Sequence, residues 1–348
     1  MSGSSSSYFT SNPIFDTLRK DGIVNSASNS ITSLYENAFN NNSLFIGLVI
    51  VIIIAIIIAY VLYTYLGSKL FSKIKSVVSD TKVPVVGTKL SKFTADLAKN
   101  ANGSRKSYSF WVYINDMTKY KGQYQTIAAV SADGDNEYKL SSCSPYIFLD
   151  KTNNTMYIRF SKLEDDEFKD MTNISSIKDL HMYLKSGIVI DYVPLQRWVH
   201  IAIVCNSNAF KTTLFAYVDG DLVKTISHSE PFTLKGYENH YDTSPAANCN
   251  DSGFRTIEDK TVICRSGAKS DLNNLNLNTT GYLYVGNNRD YKSGVGPGFS
   301  GLLSSFTSYN YELNQQDIYA IYNNGPVTGF LAKLGLGAYG VRNPVYKL

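Results

Sequence analysis

Residues 214–226 read LFAYVDGDLVKTI. Two apolar-rich runs flank Asp219 and Gly220, and an Asp-Gly pair in that setting predicts a two-residue β-hairpin. Both turn positions need positive φ, which Gly adopts freely and Asp tolerates better than most side chains. The same period of two recurs outward from the hairpin. In SYSFWVYIND, Tyr108, Phe110, Val112 and Ile114 alternate with Ser109, Trp111 and Tyr113, placing the two sets on opposite faces of a strand. Further strands are predicted over 124–131, 145–150, 155–161, 197–205, 281–287 and 301–311, separated by Gly-, Asn- and Asp-rich turns. Many short alternating strands of this kind predict an all-β fold, an antiparallel β-sandwich or jelly roll. An acidic region near 162–190 and a polar insertion at 228–280 interrupt it. After the last strand, LNQQDIYAIYNNG predicts a short helix, with Asn314 as cap, Asp317 at the reciprocal position and Gly325 as stop.

Upstream the chain changes character. From Leu44 to Leu66, centred near Ile54, no side chain is charged and Ile, Val, Leu and Ala dominate. At ~1.5 Å per residue a helix of that run spans about 35 Å, against ~30 Å of bilayer hydrocarbon. Tyr60, Tyr63 and Tyr65 gather at its C-terminal end, where an aromatic belt belongs. A single transmembrane α-helix preceding the sandwich is therefore expected. Lys69, Lys73, Lys75 and Lys82 follow it, whereas no basic residue lies between Lys20 and the span. The positive-inside rule then puts the C-terminal domain on the cytosolic side, with those four lysines against anionic headgroups.

The expected organisation is a polar arm (1–43), the span (44–66), a basic connector (67–105), the sandwich (106–326, with its insertion at 228–280) and a C-terminal tail (327–348). The chain is 348 residues long, 44% hydrophobic and 18% charged, with 26 Tyr and 17 Phe. A net charge of +4 is too small to argue for nucleic acid, and the connector lacks the interleaved aromatics of single-strand binders. Cys143, Cys205, Cys249 and Cys264 show no zinc-like spacing. A cytosolic domain keeps thiols reduced, and Cys249 with Cys264 would pair only where the compartment is oxidising.

The segments YSFWVYIND, PYIFLD, TMYIRFS, VPLQRWVHIAIV, LFAYVDGDLVKTI, GYLYVGN and GFSGLLSSFTSYNYELNQQDIYAIYNNGP occur in this order. Over about 106–326 the chain resembles the concanavalin A-like (laminin-G-like) lectin and glucanase sandwiches. The closing motif joined to an upstream span looks like the membrane-anchored sandwich proteins of large double-stranded-DNA viruses of the chlorovirus and mimivirus group. That resemblance implies a minor capsid protein in the virion, on the internal membrane beneath the capsid, with the lipid membrane and other capsid proteins, major and minor, as partners.

Catalysis is not expected. A retaining glucanase needs two carboxylates ~5–5.5 Å apart, and in this superfamily they come from an E-x-D-x-x-E strand. No strand here carries one; Glu164 to Glu167 lie in a charged segment without alternation. His200 shares a strand face with Trp198 and Ala202, which suits packing. ADGDNE at 132–137 has Tyr138 where a calcium loop needs Gly, and GVGPGF at 294–299 lacks the Lys-Ser/Thr of a phosphate loop. No cofactor or metal site is assigned. Trp111, Tyr113 and Tyr217 are candidate outward aromatics for a protein interface or, as the alternative, for a glycan held by a membrane-displayed lectin.

Overall fold

A computed structural model describes residues 43–62, 75–78, 84–95, 104–132, 140–163, 174–207, 211–242, 253–257, 260–264, 267–277, 281–287 and 296–327. The chain divides into two compact units, Met1–Phe71 and Ser72–Leu348. The expected polar arm and tail, apart from Ser43 and Val327, lie outside the described residues, as do Leu66, Lys69, Lys73 and Lys82.

In the first unit, helix α1 (Ser43–Leu62) runs for 20 residues with no acidic residue in its first turn and no basic one in its last. The side chains described on it are Gly47 and residues 49–62, all exposed, Ile54 among them; that of Leu44 is not among them. Among the described residues no helix is long and apolar enough to cross a membrane.

The second unit is a two-sheet antiparallel β-sandwich. Its strands are β1 (Lys75–Val77), β2 (Val85–Val86), β3 (Ser91–Ala95), β4 (Ser104–Ile114), β5 (Gln125–Ser131), β6 (Cys143–Leu149), β7 (Met156–Arg159), β8 (Gly187–Ile190), β9 (Trp198–Ser207), β10 (Thr212–Val218), β11 (Asp221–Ser227), β12 (Tyr241–Asp242), β13 (Phe254–Ile257), β14 (Lys260–Cys264), β15 (Gly281–Val285) and β16 (Gly301–Tyr309). Sheet A has the order β1-β16-β4-β9-β10-β11, with β2 also on β16. Sheet B has the order β3-β15-β5-β6-β7-β8. Helix α2 (Ile177–Leu184) precedes β8 and helix α3 (Gln315–Asn324) follows β16.

Alternation sets the layers. Tyr108, Phe110, Val112 and Ile114 of β4 join Val199, Ile201, Ile203 and Cys205 of β9 in the main core, with Ile147, Leu149, Ile158 and Ile188 of sheet B in the same cluster. Full burial of each such aliphatic side chain is worth roughly 1.5–3 kcal/mol. The Asp-Gly hairpin forms as its sequence predicts, with Val218 opposite Asp221 and positive φ at Asp219 (53°) and Gly220 (93°). Asp219 fastens the tip: its amide donates to the His200 carbonyl at 2.8 Å, and its Oδ1 accepts from the His200 amide at 2.8 Å. A Cβ at Gly220 would come within 3.2 Å of the Tyr319 side chain.

The basic connector supplies three strands that the sequence did not predict, β1 and β2 at one edge of sheet A and β3 at one edge of sheet B. Val78, Val85, Leu90 and Phe93 turn toward the core between the lysines. Lysine and proline on such strands also guard an edge against pairing with another chain. Lys75 is accordingly a β1 residue opposite Tyr309, its Nζ 6.0 Å from that ring's centroid. The described part of the insertion also joins the fold. It forms a small sheet, β12-β14-β13, and returns Leu272, Leu275 and Leu277 to the main core.

Candidate functional site

A sandwich of this kind can bind a ligand on either outer sheet face, and both faces here are aromatic. On sheet A the outward positions of β4 and β9 bring Trp111, Tyr113, Trp198 and His200 together. Tyr113 meets Trp198 edge-on at 5.7 Å, and Trp111 lies 5.2 Å from the His200 ring. Ser109 Oγ and His200 Nε2 are 2.8 Å apart. Burial holds the His200 imidazole down to about 4, so it is neutral at pH 7.

This face is closed. Asn314 caps α3 by accepting from the Asp317 amide at 2.7 Å, and Gly325 follows the last turn with φ of 76°. The helix lays Tyr322 on Trp111, rings 5.7 Å apart and nearly parallel, and packs Ile318 against Ala202 and Val204. Trp111 and Tyr113 are therefore only 5% and 3% exposed. The expectation that they look outward to a partner is corrected: alternation does put them on the outer face, but α3 covers it. Tyr217 is half-buried against the same helix cluster.

On sheet B the outer positions of β6 and β7 carry Tyr146, Phe148, Tyr157 and Arg159. Phe148 is at their centre, 4.9 Å from Tyr146, 5.1 Å from Tyr157, 5.6 Å from Tyr124 and 6.1 Å from Tyr183 between ring centroids. Tyr183 belongs to α2, and Arg159 Nε donates to its carbonyl at 3.1 Å. The insertion is joined to that helix through His181, whose ring stacks on Phe232 at 4.2 Å and whose Nδ1 is 2.9 Å from the Tyr241 hydroxyl. Burial, then the Lys185 charge, lowers His181 to about 4. Phe148, Tyr146 and Tyr157 are fully buried.

The carboxylates at the loop ends are engaged by their own loops. Asp150 is buried and accepts from the Tyr157 and Tyr237 hydroxyls at 3.1 and 3.2 Å and from the Thr152 and Asn153 amides at 3.2 Å. Asp116 accepts from the Thr118 and Lys119 amides and the Ser300 hydroxyl. Desolvation raises its pKa, but these hydrogen bonds outweigh it and the net shift is downward. Among the described residues no group of three or more His, Cys, Asp and Glu side chains could hold a metal. The segments 132–137 and 164–167 weighed above fall largely or wholly outside the described residues.

The thiols divide. Cys143 and Cys205 are buried, and burial, then Glu312, pushes the Cys205 thiol up to about 12. Cys264 is disulfide-bonded; Cys249 lies outside the described residues.

Sequence reading missed the sheet B cluster and α2, although Ser176 and Asp179 form the same reciprocal cap as Asn314 and Asp317. It also missed the Ser109–His200 pair, which cross-strand register alone brings together.

No family model matches the chain and no curated protein matches it. Among solved structures it is similar to the binding domain of botulinum neurotoxin serotype D/C, at 14% identity, TM-score 0.35, over 72% of this chain and 47% of that one. It is similar to a botulinum neurotoxin type C structure that concerns interaction with two ganglioside molecules, at 13% identity, TM-score 0.35, over 74% and 52%. Trypanosoma rangeli sialidase in complex with sialic acid matches at 11% identity, TM-score 0.34, over 73% and 30%. The chain spans about half the length of the toxin structures it matches and 30% of the sialidase. Likeness at these scores carries no argument about ligands; strand order and register carry the fold.

Proposed function

We propose that this chain is a non-enzymatic, single-pass membrane protein whose sandwich makes protein contacts, the arrangement of a minor capsid protein tying an internal viral membrane to its shell. The observation that carries the non-enzymatic part is the closure of both outer faces by the chain's own helices and insertion. Phe148 and Trp111 are already packed against internal partners, so neither ring is open to stack on a sugar. The span is supported by the Leu44–Leu66 run and by the exposed apolar surface of α1, which soluble proteins rarely leave open. The virion placement, and major and minor capsid proteins as partners, rest on the sequence resemblance. The sandwich would lie on the cytosol-derived face.

A second reading, a membrane-displayed glycan-binding lectin, is favoured by the disulfide at Cys264, since such bonds persist mainly in oxidising compartments. Protease protection of the full-length protein in sealed, cytosol-face-out vesicles separates the two. Digestion of the sandwich with survival of an N-terminal tag supports the adaptor, and cross-linking to capsid subunits follows. Protection of the sandwich until detergent is added, with Cys264 resistant to alkylation, overturns that topology and supports the lectin.

A further inference from the structure

We infer that the edge of sheet A at β11 is a self-association surface, where a second copy of this chain adds its own β11 in antiparallel register about a two-fold axis. This surface belongs to the sandwich alone and does not depend on α1 crossing a membrane. β11 ends sheet A and, among the described residues, pairs with β10 only. Its last residue is occupied: the Ser227 amide donates to Glu230 Oε2, and the Ser227 carbonyl accepts from the Ser270 hydroxyl. The open run is residues 221–225, where Asp221, Leu222, Val223 and Thr225 are exposed. It holds no proline, and an edge of that kind offers its backbone to another strand. A lysine standing off the edge would guard it, but Lys224 is turned aside. Its Nζ reaches Asp191, just past β8, at 3.2 Å.

A bulge sets the faces. Ala216 is opposite Lys224 and Tyr217 opposite Leu222, so Val223 is the extra residue. Asp221 is opposite Val218, and both Val218 and Ala216 belong to the side packed on the main core. Asp221 and Lys224 therefore share the face toward sheet B although they are three residues apart. Leu222 shares the outer face with Tyr217, which packs in the α3 cluster. Val223, next to the inward Lys224, joins it there by alternation. Leu222 and Val223 are each about half exposed, and so is Tyr319 of α3, which packs over Gly220 at the hairpin tip. Three large apolar side chains thus lie together on an open edge.

The run Asp-Leu-Val-Lys is self-complementary. A two-fold axis between Leu222 and Val223 sets Asp221 of each copy opposite Lys224 of the other, and Leu222 opposite Val223, each pair twice. Every pair falls on one face, as directly opposed residues of antiparallel strands do. This charge complementarity favours a second copy over an unrelated strand, because one segment supplies both halves of each pair. The seam is short, so the dimer is weak and reversible, with a Kd in the micromolar range.

The test follows full-length protein in detergent micelles by analytical ultracentrifugation, up to about 100 µM. Expected is a reversible dimer whose amides over 221–225 exchange more slowly as concentration rises. Asp221→Lys sets lysine against Lys224 twice and weakens the dimer about tenfold; Lys224→Asp does the same with paired carboxylates. Mixing the two variants restores association, because each then meets opposite charge, and that rescue is particular to this register. Should Lys224→Asp misfold for want of its Asp191 contact, Asp221→Lys and Leu222→Arg, both exposed changes, test the same seam. A monomer throughout the concentration range overturns the inference. So does a dimer that tolerates Asp221→Lys and Leu222→Arg, as one formed through α1 would. Protection of the 221–225 amides only when capsid subunits are added to a monomer would assign the edge to another chain and also overturn it.

Discussion

On sheet A a single 10-residue helix, joined to β16 by residues 310–314, covers Trp111, Tyr113 and His200. On sheet B the cover is assembled from α2, from Phe232 and Leu234, and from Leu272 to Leu277, pieces drawn from widely separated parts of the chain. Both covers bury aromatic rings and a neutral histidine. The first packs in small clusters of its own, separate from the main core. The second shares one continuous cluster with the sandwich core, so it cannot be lifted without disturbing the layer beneath. Sheet A's cover should open at low free energy and sheet B's only near global unfolding.

The largest break in this comparison is Phe148→Ala. A fully buried ring with four aromatic neighbours should cost about 3–5 kcal/mol, read as a fall in the urea midpoint. Cys264→Ser comes next, at about 3 kcal/mol. It should make the insertion sensitive to protease while leaving the Tyr322–Trp111 contact intact, as followed by tryptophan emission.

Acidity probes both faces. His181 and His200 have folded pKa values near 4, below the unfolded value of 6.5. The unfolded chain therefore binds more protons between about pH 6.5 and 4, and stability falls as pH drops through that window and levels off below it. Each histidine should account for up to about 3 kcal/mol, and His181→Gln or His200→Gln should remove its own share in a pH series of unfolding curves. Loss of sensitivity from one variant only would assign the effect to one face. Smallest are the caps: Asn314→Ala and Ser176→Ala should each cost about 1 kcal/mol. The first should show as faster amide exchange confined to α3, the second as a lower global midpoint. Equal, local effects from both would remove the distinction between the covers.

Much of the sandwich was legible because its strands alternate. β4, β5, β9, β10, β11, β15 and β16 all read from a period of two, and α3 from its cap and stop residues. β8 was not legible, since GIVI is apolar on both faces and offers no alternation. β1 to β3 hid behind lysines, which look like a solvated connector and are also what an edge strand presents. Of the candidate aromatics, the face of Trp111 and Tyr113 followed from parity along β4. Their exposure did not, because it depends on where α3 comes to rest.

The sequence by itself determined β4 to β7, β9 to β11, β15 and β16, where the Asp-Gly hairpin turns, the caps of α3 and the apolar run from Leu44 to Leu66. These follow from interactions between residues near in sequence: allowed dihedrals, alternating faces, and side chains reaching their own backbone. Tertiary structure alone decided that both outer faces are closed, that the connector completes the sheet edges, and that Ser109 meets His200. Those outcomes depend on register and on burial between segments far apart in the chain, where the gain comes from removing a whole face from water rather than from any local preference.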